Sequence, residues 1–178
     1  MTDLTGKTAL VTGSVQGIGL AIAEAMAGAG ARIAVHGLAG DAQIEEVCAQ
    51  LKQAGAPQAE FFAGDLRDPA QISGLMDAVG DWGGVDILVN SAGIQKTAPL
   101  AGVSAETWDA IIAVNLSAAF HTMQVALPDM AERGYGRVIN VASVAGLMTM
   151  PAGAQYGPAK RHVIGVSQEL MAMVGRRG

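Results

Sequence analysis

One cysteine among 178 residues, Cys48, leaves no intrachain disulfide to form, so the fold must rest on its core and a reducing compartment is the expected setting. Cations are scarce as well: eleven Lys and Arg against sixteen Asp and Glu give a net charge of −5. A phosphate backbone is bound by clustered Lys and Arg, so no nucleic-acid partner is expected, and the Arg176-Arg177 pair is too short to change that. No stretch reaches the ~18 uninterrupted apolar residues of a membrane helix. The N-terminus MTDLTGKTALVTG lacks the charged, apolar, then small-residue order of a signal peptide. These absences point to a cytoplasmic protein without membrane contact. No metal-ligating cluster is assigned.

What the chain does have is apolar residues and glycine. With 51% hydrophobic and 15% charged residues it is expected to fold as one domain over residues 1–178. Glycine, at 24 residues, is roughly double its usual ~7% share, so bare backbone is needed somewhere. Short apolar runs at 8–11, 32–35, 60–63, 87–89 and 137–141 alternate with helical patterns at 18–29, 43–54, 69–79, 106–130 and 154–174. Such βαβα alternation predicts an α/β fold with a parallel sheet covered by helices on both faces. Within the longest helix, Trp108, Ile111, Ile112, Asn115 and Ala119 recur at spacings of three and four, predicting one sheet-facing stripe with a polar Asn115 in it.

Ligands of such sheets bind at the carboxyl ends of the strands. After the first run comes Thr12-Gly13-Ser14-Val15-Gln16-Gly17-Ile18-Gly19, glycines opening a helix. Gly13 permits a tight turn, Gly17 lets backbone approach a pyrophosphate, and Gly19 allows close packing of helix on strand. The unpaired N–H groups of the helix start then face the phosphates, so Gly13, Gln16, Gly17, Ile18 and Gly19 are candidate dinucleotide contacts in a doubly wound, Rossmann-type domain. A 2′-phosphate on the ribose would want a cation here or after the second strand, where Gln16 and His36-Gly37-Leu38 stand instead. NAD is therefore the expected cofactor.

Tyr156-Gly157-Pro158-Ala159-Lys160 places a tyrosine and a lysine four apart on one helix face. A tyrosine hydroxyl ordinarily ionises near ~10, and a neighbouring ammonium favours its phenolate. Tyr156 can then exchange the alcohol proton while hydride moves to or from the cofactor. Ser143, at the end of the fifth run, is placed to orient the reacting oxygen. Pro158 is tolerated only in a first turn, so the last helix must start at or just before Tyr156.

The spacing of Gly13, Gly17 and Gly19, Asp65-Leu66 after the third run, Asn90-Ser91-Ala92-Gly93 after the fourth, Ser143, and the Tyr156–Lys160 pair together resemble the short-chain dehydrogenase/reductase family. The resemblance implies that Asp65 and Leu66 contact the adenine, and that Asn90, Ala92 and Gly93 belong to a motif at the cofactor in which Ser91 replaces a second Asn. It further implies that Tyr156 and Lys160 also touch the cofactor, and that Asn115 holds a water linking Lys160 to solvent. Over most of the chain, including His36-Gly37-Leu38 and 93–121, it is similar to the branch of the family acting on D-3-hydroxybutyrate. There Gln95, Ser143 and Tyr156 are implied to meet substrate, with 3-hydroxybutyrate and acetoacetate as the leading pair.

Two carboxylate anchors of that branch are replaced, by Ala145 and Gly153, although Lys96 offers a substitute cation. A neutral or larger alcohol or ketone is the alternative. The family also carries a sixth and a seventh strand, for which residues 1–178 offer no pattern, leaving a truncated cofactor-binding module with little catalysis as the second class of reading. A homo-oligomer, a tetramer, is implied by resemblance alone.

Overall fold

The computed structural model describes residues 3–149 and 154–174. Five strands, β1 (Thr8–Thr12), β2 (Arg32–Val35), β3 (Ala59–Phe61), β4 (Ile87–Asn90) and β5 (Arg137–Asn140), form one sheet in the order β3-β2-β1-β4-β5, every neighbour parallel. All residues of β1 and β4 are buried, as strands covered on both faces must be, which is why they read as continuous apolar runs. Strand order reverses between β1 and β4, so the crevice of a doubly wound sheet opens at their carboxyl ends. Each predicted strand is present, β3 shifted by a residue or two.

Helices α1 (Gly17–Gly28) and α2 (Asp41–Gln53) cover one face of the sheet, and α3 (Pro69–Gly83), the crossover from β3 to β4, covers the other. Alternation along β1 feeds two cores: Leu10 packs with Leu75, Val79 and Leu88 on one face, Ala9 and Val11 with Ala27, Ile33 and Leu51 on the other. The start of α3 is fixed locally. Asp68 accepts the Ala70 N–H at 2.9 Å, and Pro69 occupies a position whose N–H has no intrahelical partner anyway.

The long helix expected at 106–130 runs from 105 to 133 but is not uniform. It is α4 (Ala105–Ile112), a π-helical turn at Ala113–Ser117, and α5 (Ala118–Arg133), capped at its start by Ser104 and ended by left-handed Gly134 at φ 68°. The inserted residue rotates the stripe. Ile111, Asn115 and Ala119 are buried as predicted and Ile112 is half-buried, whereas Trp108, one turn before Ile111 near the start of α4, is 43% exposed. By length and composition alone this 29-residue run would pass as a membrane span. Its buried Ala118, Ala119, Met123, Ala126 and Met130 belong to the core cluster on the Leu10 face of the sheet, the packing of a core helix.

The last helix, α6 (Tyr156–Val174), begins at Tyr156, so Pro158 falls in its first turn as anticipated. β5 lies at the sheet edge among the described residues and leaves Ile139 44% exposed.

Candidate active site

The glycine loop sits where β1 runs into α1. Gly13 has φ +70°, and a Cβ built on it would come within 2.8 Å of Ala92 Cα, so the loops after β1 and β4 touch backbone to backbone. A Cβ on Gly19 would lie 2.2 Å from the Gly13 carbonyl oxygen, which makes glycine the condition for α1 docking so close. Gly17 is different: nothing lies within 4 Å of its Cβ position, and only its φ of +59° asks for glycine. No side chain caps α1, whose N-cap is Gln16, and its first turn holds no acid. Its N–H groups are left to an anion.

Side chains knit the strand ends together. Thr12 Oγ1 accepts the N–H groups of Ser91 and Ala92, both at 3.1 Å, and donates to Val89 O at 3.4 Å. His36, buried at the end of β2, has Nε2 2.9 Å from Gly64 O and Nδ1 3.4 Å from the Gly13 N–H. The tautomer satisfying both is neutral with the proton on Nε2. Burial pushes His36 below the ordinary histidine pKa, partly offset by the Gly64 hydrogen bond and the Asp65 charge. The ring thus ties the glycine loop to the end of β3. Thr12 and His36 are contributors to which residue reading assigned no role. The one sequence signal was a polar residue closing each of two buried strands.

A cleft of about 600 Å³ opens over these ends, within the range of small-molecule sites. Gly13, Gln16, Ile18 and Gly19 form its floor, Asp65 and Leu66 its far end, and Ala92, Gly93 and Gln95 its near wall, closed by Tyr156 and Lys160. At the far end the Arg67 side chain and N–H bond the half-buried Asp65 carboxylate, holding it down to about 2.

Lys160 is buried yet donates to Val141 O at 2.8 Å, with its Nζ 6.0 Å from the centre of the Tyr156 ring. Burial lowers its pKa. The built Cβ of Gly93 would stand 2.8 Å from Asn115 Oδ1 and 3.7 Å from Lys160 Nζ, so only glycine lets this loop lie against both.

Asn115 is not in the cleft. From the π turn its Oδ1 accepts the Ile94 N–H at 3.0 Å and its Nδ2 donates to Ile94 O at 2.7 Å. With Lys160, Thr12 and Asn90 it lines a separate cavity of about 10 Å³, the room of a single water. Asn90 lies behind the cleft, where its Oδ1 accepts from Thr122 and its Nδ2 donates to Asn140 Oδ1. Ser143 does not line the cleft either. It caps a 3-10 turn (Val144–Gly146), its Oγ accepting the Ala145 N–H at 3.2 Å, next to Ala142, which does.

Of the carboxylate-anchor positions, Ala145 is buried and Gly153 lies outside the described residues. Lys96 Nζ is 3.4 Å from Thr107 Oγ1 on α4.

Residues 7–178 match the family model described as short chain dehydrogenase. The chain is 47% identical over 167 residues to a D-beta-hydroxybutyrate dehydrogenase of Cupriavidus necator, covering 93% of this chain and 64% of that protein. It is 42% identical over 177 residues to a D-threitol dehydrogenase of Mycolicibacterium smegmatis, covering 98% of this chain and 67% of that one. A crystal structure assigned to a short-chain alcohol dehydrogenase of Sinorhizobium meliloti 1021 superposes with a TM-score of 0.92 at 35% identity, over 98% of this chain and 69% of that one. The chain therefore spans about two thirds of the length of the relatives it matches.

Proposed function

Because this chain belongs to the short-chain dehydrogenase family, we propose that it serves as an NAD-dependent oxidoreductase interconverting a secondary alcohol and its ketone. The observation carrying this is that Tyr156 and Lys160 share one cleft with an uncapped, glycine-lined helix start. A bound nicotinamide dinucleotide supplies the hydride acceptor or donor. The residues that would hold it are Gly13, Gln16, Gly17, Ile18 and Gly19 at the phosphates, Asp65 and Leu66 at the adenine, and Ala92, Gly93, Tyr156 and Lys160 toward the nicotinamide. NAD is favoured over its 2′-phosphorylated form because no cation stands at Gln16, His36, Gly37 or Leu38, and the nearby Arg67 is committed to Asp65.

In the oxidising direction Tyr156 acts as its phenolate, whose charge the ammonium of Lys160 stabilises before the step; the phenolate takes the hydroxyl proton and becomes neutral as the hydride leaves the carbon. Ser143 is given the orienting role by the family resemblance: it stands behind the cleft lining, next to Ala142, and its oxygen accepts from Ala145, so its O–H is left to donate to a reacting oxygen once it turns toward the cleft. The water-sized cavity touching Asn115 and Lys160 suits proton exchange with solvent.

The leading substrate is D-3-hydroxybutyrate, supported by Gln95 on the cleft wall and by the similarity to a D-beta-hydroxybutyrate dehydrogenase. A neutral alcohol is the second reading. It is favoured by Ala145 at one anchor, by Lys96 turned toward Thr107, and by the similarity to a D-threitol dehydrogenase. An unpartnered carboxylate in such a cleft would cost several kcal/mol. The protein is further read as a cytoplasmic homo-oligomer. Formation of NADH from NAD, and of NADPH from NADP, with 3-hydroxybutyrate, 2-butanol and threitol tests the set. Turnover of 3-hydroxybutyrate with NAD is the expected result; turnover of the neutral alcohols alone transfers the assignment to the second reading, and higher kcat/KM with NADP overturns the cofactor.

A further inference from the structure

Gln155 immediately precedes Tyr156 and has no solvent exposure, unusual for a glutamine at a helix start. Its Nε2 donates to the backbone oxygen of Lys96 at 2.5 Å, across 59 residues of sequence. Its Oε1, equally buried, accepts nothing among the described residues. Burying an amide to use half of it is poor economy for packing alone; a leucine would fill similar space without an orphaned acceptor. Local rules are broken in this way chiefly where function requires it.

What the bond holds is the segment carrying Gln95. Ile94 is clamped through both backbone groups by Asn115, and Lys96 through its carbonyl by Gln155. Gln95 stands between the two fixed points with its side chain at the cleft wall, and Gln155 is covalently next to Tyr156. One side chain therefore ties the segment bearing Gln95 to the start of the helix bearing the proton-transferring tyrosine.

We propose that Gln155 is a positioning residue that sets the separation of Gln95 from Tyr156 and so selects alcohols bearing a polar tail. The inference rests on the oxidoreductase reading above. Lys96 points its ammonium at Thr107, so this segment's contribution to substrate is its backbone course and Gln95, both of which Gln155 fixes.

Gln155→Leu tests it in two ways. Hydrogen exchange of the peptide spanning 93–99 is expected to rise at least tenfold, and kcat/KM for 3-hydroxybutyrate to fall at least tenfold more than for 2-butanol, chiefly through KM. Gln155→Glu adds a signature that packing would not produce. A buried carboxyl is pushed upward in pKa; when protonated it donates to Lys96 O, and when ionised it repels it. Its KM for 3-hydroxybutyrate, divided by that of the wild type at each pH, should therefore climb as pH rises from 6 to 9. Unchanged exchange in Gln155→Leu overturns the proposal whatever the enzyme turns over. Equal losses on both alcohols, or a flat KM ratio in Gln155→Glu, reduce Gln155 to a packing residue and overturn it too. A wild-type protein inactive on every secondary alcohol sinks the oxidoreductase reading instead, while the exchange measurement still decides whether Gln155 holds the segment.

Discussion

Replacing Asn115 by leucine keeps the volume and removes the hydrogen bonds. In the native structure the amide satisfies Ile94 twice, at 3.0 Å to its N–H and 2.7 Å to its carbonyl, from a side chain only 2% exposed. Leucine leaves both backbone groups without partners. Ile94 is 41% exposed, so water can partly replace the lost partners, and at a net ~0.5–1.5 kcal/mol per hydrogen bond the pair amounts to about 1–3 kcal/mol. For a chain of this size each kcal/mol lowers Tm by ~2–4 °C, which predicts a fall of roughly 2–12 °C by differential scanning calorimetry. Alanine should cost more, since it adds a cavity to the same loss. Asparagine also answers to the π turn that aims it: a helix without the extra residue would carry position 115 away from Ile94. If Asn115→Leu melts within about 2 °C of the wild type, the clamp is not holding Ile94, and the account of how the near wall of the cleft is fixed is wrong.

Three further outcomes follow from the same geometry. Gly19→Ala drives a methyl to within 2.2 Å of the Gly13 carbonyl, so backbone must move; a loss of ~1–3 kcal/mol in urea unfolding and at least tenfold weaker NADH binding by fluorescence are expected. Gly17→Ala meets no atom and strains only φ, so its stability loss should be about 1–2 kcal/mol, from the left-handed conformation alone. Stability should also fall as pH drops below about 6.5, the ordinary histidine value. His36 has a lowered pKa in the folded state, so the unfolded chain binds the proton first and folding loses ground as pH falls from that value toward the folded one. In Tm measured against pH, His36→Asn should flatten that slope, and an unchanged slope would place the titrating group elsewhere.

Much of the fold was legible because its signals are local. Continuous apolar runs mark strands buried on both faces, and β1 and β4 are of that kind. The glycine loop was readable because Gly13, Gly17 and Gly19 answer to needs of turn and close approach that few other residues meet. Harder to read was anything that depends on how distant segments meet. The π turn leaves no mark in residue type, and the apolar stripe gave no sign that Trp108, near the start of α4, stands 43% exposed. Asn90 sits in a cofactor-like motif but its amide is spent on Thr122 and Asn140, a contact fixed by the pairing of β4 with β5. Thr12, His36 and Gln155 act through bonds to residues 23 to 80 positions away, and single-residue chemistry does not announce such partners.

The proton-transfer role of Tyr156 is the centre of the account, and Tyr156→Phe removes one oxygen while leaving the ring against the cleft. With NAD and the best substrate of the panel, kcat should fall at least ~100-fold, the usual scale of a lost general acid-base group, while the Kd for NADH stays within about threefold. Turnover near the wild-type rate in Tyr156→Phe would contradict the assignment outright.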